Sequence, residues 1–190
     1  DGAAAVELNL SCPNVHDRSG LQPRLVAHDP AATQAMVQAA CQRTRKPVLA
    51  KLSPDVTDLA PIAQAAERAG ASALTVGNTF VGMSLDPATR RSRLGTLTGG
   101  LSGPAIRPLA VYRVWYTARS VGIPVIGVGG VVRAEDALEF LLAGAAAVAV
   151  GTAHFADPAA ALRVLDGIAR YLDRHRLGSV EALRGVLGPP

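Results

Sequence analysis

Five short apolar runs in this chain each end on a few polar residues or glycines. Asn9, Ser11, Cys12 and Asn14 follow the first, Lys51 and Ser53 the second, Asn78 and Thr79 the third, Gly129 and Gly130 the fourth, Gly151 and Thr152 the fifth. Lys51 closes Val-Leu-Ala-Lys-Leu. It would either carry a cation into a dry site, where it stabilises negative charge on a cofactor ring, or snorkel to the surface. Gly-Val-Gly-Gly at 127–130 and Gly-Thr at 151–152 each stand between an apolar run and a helical pattern. Bare backbone N–H groups there can approach an anion, and a helix start favours its charge, so a phosphate is the functional reading and a tight turn the structural one. Cys12 sits in Ser-Cys-Pro-Asn. A positioned thiol can act as a general base where water is excluded. Against that, no Lys or Arg adjoins it and His16 is four residues on, so a buried structural cysteine is the other reading.

No Ser-His-Asp arrangement can be assembled, and Cys12, His16 and His28 lack the spacing of a metal site. His154 reads as a loop residue, His175 as a surface one, and Cys41 as a small core or surface residue inside a helical run. Two cysteines make no disulfide framework.

These groups need a scaffold that brings five run-ends together. The runs at 5–10, 47–52, 73–76, 124–128 and 146–150 are short and almost wholly apolar, as strands buried on both faces are. Between and after them lie helical patterns at 30–44, with Asp29 as N-cap, at 58–69, stopped by Gly70, at 104–120, entered through Ser102 or Gly103, at 134–143, closed by Gly144, and within 157–175. A short terminal helix is expected around 180–186, and 77–103 reads as one long Gly- and Arg-rich connection. Five βα units result. They fit a (β/α)8 TIM barrel truncated to about its last five units, or a small doubly wound sheet, and both fold types bind ligands at the C-terminal ends of their strands.

Composition narrows the function. The chain has 190 residues, 49% hydrophobic and 18% charged, enough for one core-forming α/β domain over 1–190. Aromatics are only 4%, so the core must be built from Ala, Val, Leu and Ile. The net charge of +4 is spread along the chain, with Arg90, Arg91 and Arg93 as the local cluster. A nucleic-acid surface would be denser and interleaved with aromatics. No signal-peptide pattern and no apolar run of about 18 residues is present, so the expectation is a cytoplasmic protein without a membrane span.

Taken in order, ELNLSCPN (7–14), NTFVGM (78–83), TGGLSGPAI (98–106), IPVIGVGG (123–130) and EFLLAGAAAVAVGTAHF (139–155) resemble the catalytic subunit of class 1B, NAD-linked dihydroorotate dehydrogenase. The first motif is shared with class 1A enzymes and with the pyrimidine-reducing domain of dihydropyrimidine dehydrogenase. TGGLSGPAI, preceded by DPATRR (86–91), points to class 1B. The resemblance implies an FMN-binding barrel to which this chain supplies strands four to eight. It implies oxidation of dihydroorotate to orotate in pyrimidine synthesis, with Cys12 as the base. Substrate contacts would fall on Asn9, Asn14, Asn78 and Thr79, whose amides and hydroxyl suit a planar ring edged with donors and acceptors. Asn9, Lys51, Gly77, Gly103, Gly129, Gly130, Gly151 and Thr152 would hold FMN, with Lys51 near the pyrimidine edge of its ring system. The implied assembly is a homodimer core within a heterotetramer, in which a second subunit carries FAD and an iron–sulfur cluster; this chain lacks the cysteine spacing for a cluster.

The sequence departs from the family's pattern in two places. In the loop from 15 to 28 only Asp29-Pro30 clearly matches the family's pattern, and the family's first three strands, with another active-site lysine, have no counterpart. Truncation is therefore expected, and a fragment of this kind would be inactive alone. The alternatives are a class 1A, fumarate-linked enzyme or a dihydropyrimidine dehydrogenase-like barrel, and a non-catalytic half-barrel.

Overall fold

Helices that pack on each other in chain order, outside a sheet whose parallel strands are also in chain order, decide between the two scaffolds. The computed structural model describes residues 2–11 and 26–187. The chain runs through β1 (Val6–Asn9), α1 (Pro30–Arg43), β2 (Val48–Leu52), α2 (Ala60–Arg68) and β3 (Ala73–Val76). Four short strands follow: β4 (Phe80–Gly82), β5 (Leu85–Asp86), β6 (Arg91–Ser92) and β7 (Gly99–Leu101). Then come α3 (Arg107–Ala118), β8 (Val125–Val128), α4 (Ala134–Leu142), β9 (Ala147–Ala149) and α5 (Ala160–His175). The main sheet is parallel, in the order β1-β2-β3-β8-β9. Helix α1 packs on α2, α2 on α3, α3 on α4 and α4 on α5. A doubly wound sheet would reverse its strand order and divide its helices between two faces; the sequential order of both layers is that of a barrel arc.

Strand alternation sorts the side chains. Ala50 and Leu52 of β2, Leu74 and Val76 of β3 and Val125 of β8 are buried in one core with Val37, Ile62, Ala63, Ala66, Val114 and Phe140 from the helices. The alternate residues Asn9, Lys51, Thr75 and Ile126 stand level with one another across four strands, on the face that a barrel turns inward. Lower on that face, Thr75 Oγ1 donates to Glu7 Oε2 at 2.5 Å. The core is aliphatic as its composition requires, with Phe140 as its one fully buried aromatic among the described residues. Phe140 lies so close over β8 that a Cβ at Gly127 would come within 2.5 Å of its ring.

Local signals place most boundaries. The Asp29 carboxylate accepts from Ala31 N and Ala32 N and caps α1. Gly70 and Gly144 follow α2 and α4 with φ of 96° and 114°, the left-handed turn that releases a helix. Three expectations need correction. The helix entered at Gly103 begins as a 3-10 turn, Pro104–Ile106, before α3. The short terminal helix expected around 180–186 is a 3-10 turn, Val180–Leu183, while the last long helix, Ala160–His175, lies within its expected 157–175. The stretch 77–103 is not one irregular connection but two small antiparallel ladders, β4 with β7 and β5 with β6. In the second, the Asp86 carboxylate takes the Thr89 hydroxyl and Ala88 N, and these bonds, the Thr89 one foremost, hold its pKa below the ordinary carboxylate value.

Cys41 is half-buried, its Sγ 3.4 Å from Gly70 O. His154 is half-buried in the turn after Gly151, and His175 is exposed at the end of α5 beside Tyr171. Among the described residues no helix is long and apolar enough to cross a membrane.

Candidate active site

The strand ends converge as the sequence predicts. Lys51, Gly77, Asn78, Thr79, Gly103, Gly129, Gly130, Gly151 and Thr152 line one cavity of about 120 Å3, with Ser102, Ile106 and Val128 completing it. These residues come from the C-terminal ends of β2, β3, β8 and β9 and from the turn into α3. Asn9 lies just outside, level with Lys51 on the neighbouring strand. Cys12 and Asn14 fall outside the described residues, as does the loop from 15 to 25.

One end of the cavity is made of backbone. Gly77, Gly103, Gly129 and Gly130 all have positive φ, a conformation that side chains disfavour. At three of them close packing demands glycine as well. A Cβ on Gly77 would fall 2.0 Å from Val128 O, one on Gly129 2.8 Å from Ala110 Cβ, and one on Gly130 2.8 Å from both Arg107 Cβ and Gly103 O. Gly151 differs: a Cβ there meets nothing within 4 Å, and at Gly103 only Thr152 Cγ2 at 3.9 Å. Thus two turns are pressed together while the space beside Gly103 and Gly151 stays open. Across that space Thr152 Oγ1 bonds Ser102 Oγ at 2.9 Å.

The other end is made of side chains. The Lys51 side chain makes no hydrogen bond or ion pair with any described residue. Thr79 Oγ1 is buried without a hydrogen-bond partner among the described residues, lodged where a side chain at Gly100 of β7 would otherwise stand. A buried orphan hydroxyl is rare enough to need an explanation, and an absent ligand is one. Asn78 is fixed rather than free. Its Nδ2 donates to Ser11 O at 2.8 Å and Ser11 Oγ at 2.7 Å, and its Oδ1 accepts from Thr79 N at 2.8 Å. Ser11 Oγ in turn donates to Asn9 Oδ1 at 3.3 Å. Ser11, only 2% exposed, therefore links the two asparagines and sets which way each amide faces. Its place in the polar strand end is visible in the sequence; its bridging role is not, because Asn78 lies 67 residues away. Ser102 and the bonds of Asp136 to Arg107 and the loop after β8 are likewise invisible until the fold brings them together.

The chemistry of the two ends differs. The glycine turns present backbone to an anion. The Lys51 end offers a cation and a hydroxyl without partners among the described residues, and oriented amides, which suit a polar ring bearing negative charge. The described residues contain no cluster of His, Cys, Asp and Glu able to hold a metal ion.

Residues 1–172 match the family described as dihydroorotate dehydrogenase. The chain is 48% identical over 186 residues to "Dihydroorotate dehydrogenase B (NAD(+)), catalytic subunit" of Citrifermentans bemidjiense, covering 98% of this chain and 60% of that protein. It is 49% identical over 183 residues to the protein of the same name from Porphyromonas gingivalis, covering 96% and 58%. Among solved structures it resembles dihydroorotate dehydrogenase from Eimeria tenella in complex with ferulenol, with a TM-score of 0.78, 25% identity, and coverage of 96% of this chain and 54% of that one. The chain thus spans about 60% of the length of the curated relatives it matches.

Proposed function

The chain belongs to the dihydroorotate dehydrogenase family, and on that premise we propose that the protein oxidises (S)-dihydroorotate to orotate in pyrimidine synthesis, with FMN held in the cavity at the strand ends. One observation carries the reading: a single cavity joins a glycine-built anion end to an end whose lysine side chain and buried hydroxyl have no partner among the described residues. That is the order of groups a flavin nucleotide presents, phosphate at one end and an electron-accepting ring at the other.

The residues fit FMN by their chemistry. Gly103, Gly129, Gly130, Gly151 and Thr152 would hold the phosphate-bearing arm. A cavity of about 120 Å3 suits such an arm, since a whole cofactor site takes a few hundred Å3. Lys51, with Asn9 beside it, would face the ring and offset the negative charge that reduction builds there; Gly77 would add backbone contact to the cofactor. When bound, FMN supplies the acceptor for the hydride that leaves C6 of the substrate. Cys12 is the base that takes the C5 proton, so that two hydrogens leave together and the ring gains its double bond. Asn9, Asn14, Asn78 and Thr79 bind the pyrimidine edge. Ser11 acts through Asn9 and Asn78 by fixing their amides.

The relatives named "B (NAD(+)), catalytic subunit" support an NAD-linked assembly. In it a second subunit with FAD and an iron–sulfur cluster passes electrons onward, around a homodimer of catalytic chains in the cytoplasm. The test is the acceptor. The full-length protein should release FMN on denaturation and reduce NAD with dihydroorotate only when the second subunit is present. Efficient fumarate reduction by the catalytic chain alone would move the assignment to class 1A. Absence of any bound flavin would remove it.

A further inference from the structure

Asp136 is 2% exposed, a carboxylate taken almost fully out of water near the cavity yet outside its lining. Both its oxygens are occupied. Oδ2 accepts Val132 N at 2.9 Å and Arg133 N at 3.0 Å, the two backbone donors just beyond the Gly129-Gly130 turn. Oδ1 accepts Arg107 Nη1, from the first residue of α3. Arg107 Nε lies 3.4 Å from Glu139 Oε2 without hydrogen-bond geometry, so its secure contact is with Asp136. Arg107 also forms part of the wall against which Gly130 packs, and Gly103 O is on the same side. Asp136 therefore holds, from behind, both turns that face each other across the anion end: the one after β8 and the one that enters α3.

We propose that the buried Asp136–Arg107 pair is the positioning device of the phosphate end, setting how far apart the Gly103 and Gly129-Gly130 turns stand. The inference rests on the reading that FMN binds with its phosphate there. An ordinary helix cap would need only the bonds to Val132 N and Arg133 N. The added ion pair to a residue 29 positions earlier ties the cap to the opposite wall. Neither side chain lines the cavity, so the pair acts through the backbone donors it aligns, as supporting residues behind a binding site do.

The experiment compares two probes that differ in the phosphate alone, FMN and riboflavin, by quenching of flavin fluorescence on the flavin-free full-length protein. The parent should prefer FMN. Asp136→Asn keeps the size of the side chain but removes its charge and one acceptor. It should weaken FMN binding by roughly ten- to a hundredfold, the scale of leaving buried partners unsatisfied, while riboflavin affinity changes by less than about threefold. Arg107→Gln leaves the cap intact and should show a smaller loss of the same preference, with Arg107→Lys restoring part of it. If Asp136→Asn does not fold, the two Arg107 variants decide. An unchanged FMN-over-riboflavin ratio in the folded variants, or an equal loss for both probes, would overturn the proposal. A parent that binds neither flavin would instead overturn the functional reading on which it rests.

Discussion

The two ends of the cavity are built by opposite means. At the glycine end the shape is backbone: positive-φ glycines packed so tightly that Gly77, Gly129 and Gly130 have no room for a methyl group. At the lysine end the shape is side chain: a lysine and a buried hydroxyl without partners among the described residues, and two amides aligned by Ser11. The difference separates two kinds of failure. The packed glycines cannot be altered without straining the fold, whereas a side-chain end can lose its chemistry and leave the protein standing. The central sheet shows the same division, its helix-facing residues fixing the fold and its inward row carrying polar groups.

The largest effect is expected from Cys12, the proposed base. Cys12→Ala should slow flavin reduction by dihydroorotate by roughly two to four powers of ten, the scale for losing a positioned base, with FMN still bound; stopped-flow absorbance would measure it. An unchanged rate would pass the role to another group. At the glycine end, Gly77→Ala should destabilise the fold by about 3 kcal/mol or more, through a backbone clash and a disfavoured φ together. Gly151→Ala, whose Cβ meets nothing, should shift stability by less than about 0.5 kcal/mol and weaken FMN binding alone. Urea titration and flavin titration of both variants would show whether the glycines differ as their packing does. Equal destabilisation would break the comparison.

Asn78→Ala should weaken orotate binding by about 1–3 kcal/mol, since it removes one amide and releases its hold on Ser11, and should leave flavin affinity in place. Equilibrium titration with orotate checks it. The smallest effect belongs to the hairpin beyond the site. Thr89→Ala removes the foremost cause of the depressed Asp86 pKa, so that carboxylate should titrate nearer its ordinary value by NMR. A depressed folded pKa favours the folded hairpin above the unfolded value and loses that contribution as pH falls through the folded one. The variant should therefore lose the advantage near neutrality and behave like the parent in acid, with both ends of the cavity unaffected.

How far the sequence reveals this follows from which signals are local. Strand β3 has the bounds its apolar run predicts, and Asp29, Gly70 and Gly144 stop and start helices as their types require. Grouping of Lys51, Asn78, Thr79 and the glycine turns is legible because strand ends of one parallel sheet share a face. The ladders within 77–103 are not legible. Their strands are two or three residues long, and the β4–β7 ladder pairs glycines on both strands, so no alternation can develop. The Asp136–Arg107 brace is hidden for another reason: alone, Asp136 reads as an acidic residue in a first helical turn, and its partner lies on a different helix.

The central claim is that both ends serve one reaction. Its most direct test is anaerobic addition of (S)-dihydroorotate to the full-length protein loaded with FMN. Stoichiometric bleaching of the oxidised flavin band is expected, with one orotate formed per flavin. A protein that holds FMN tightly, yet keeps its flavin oxidised under excess dihydroorotate, would contradict it.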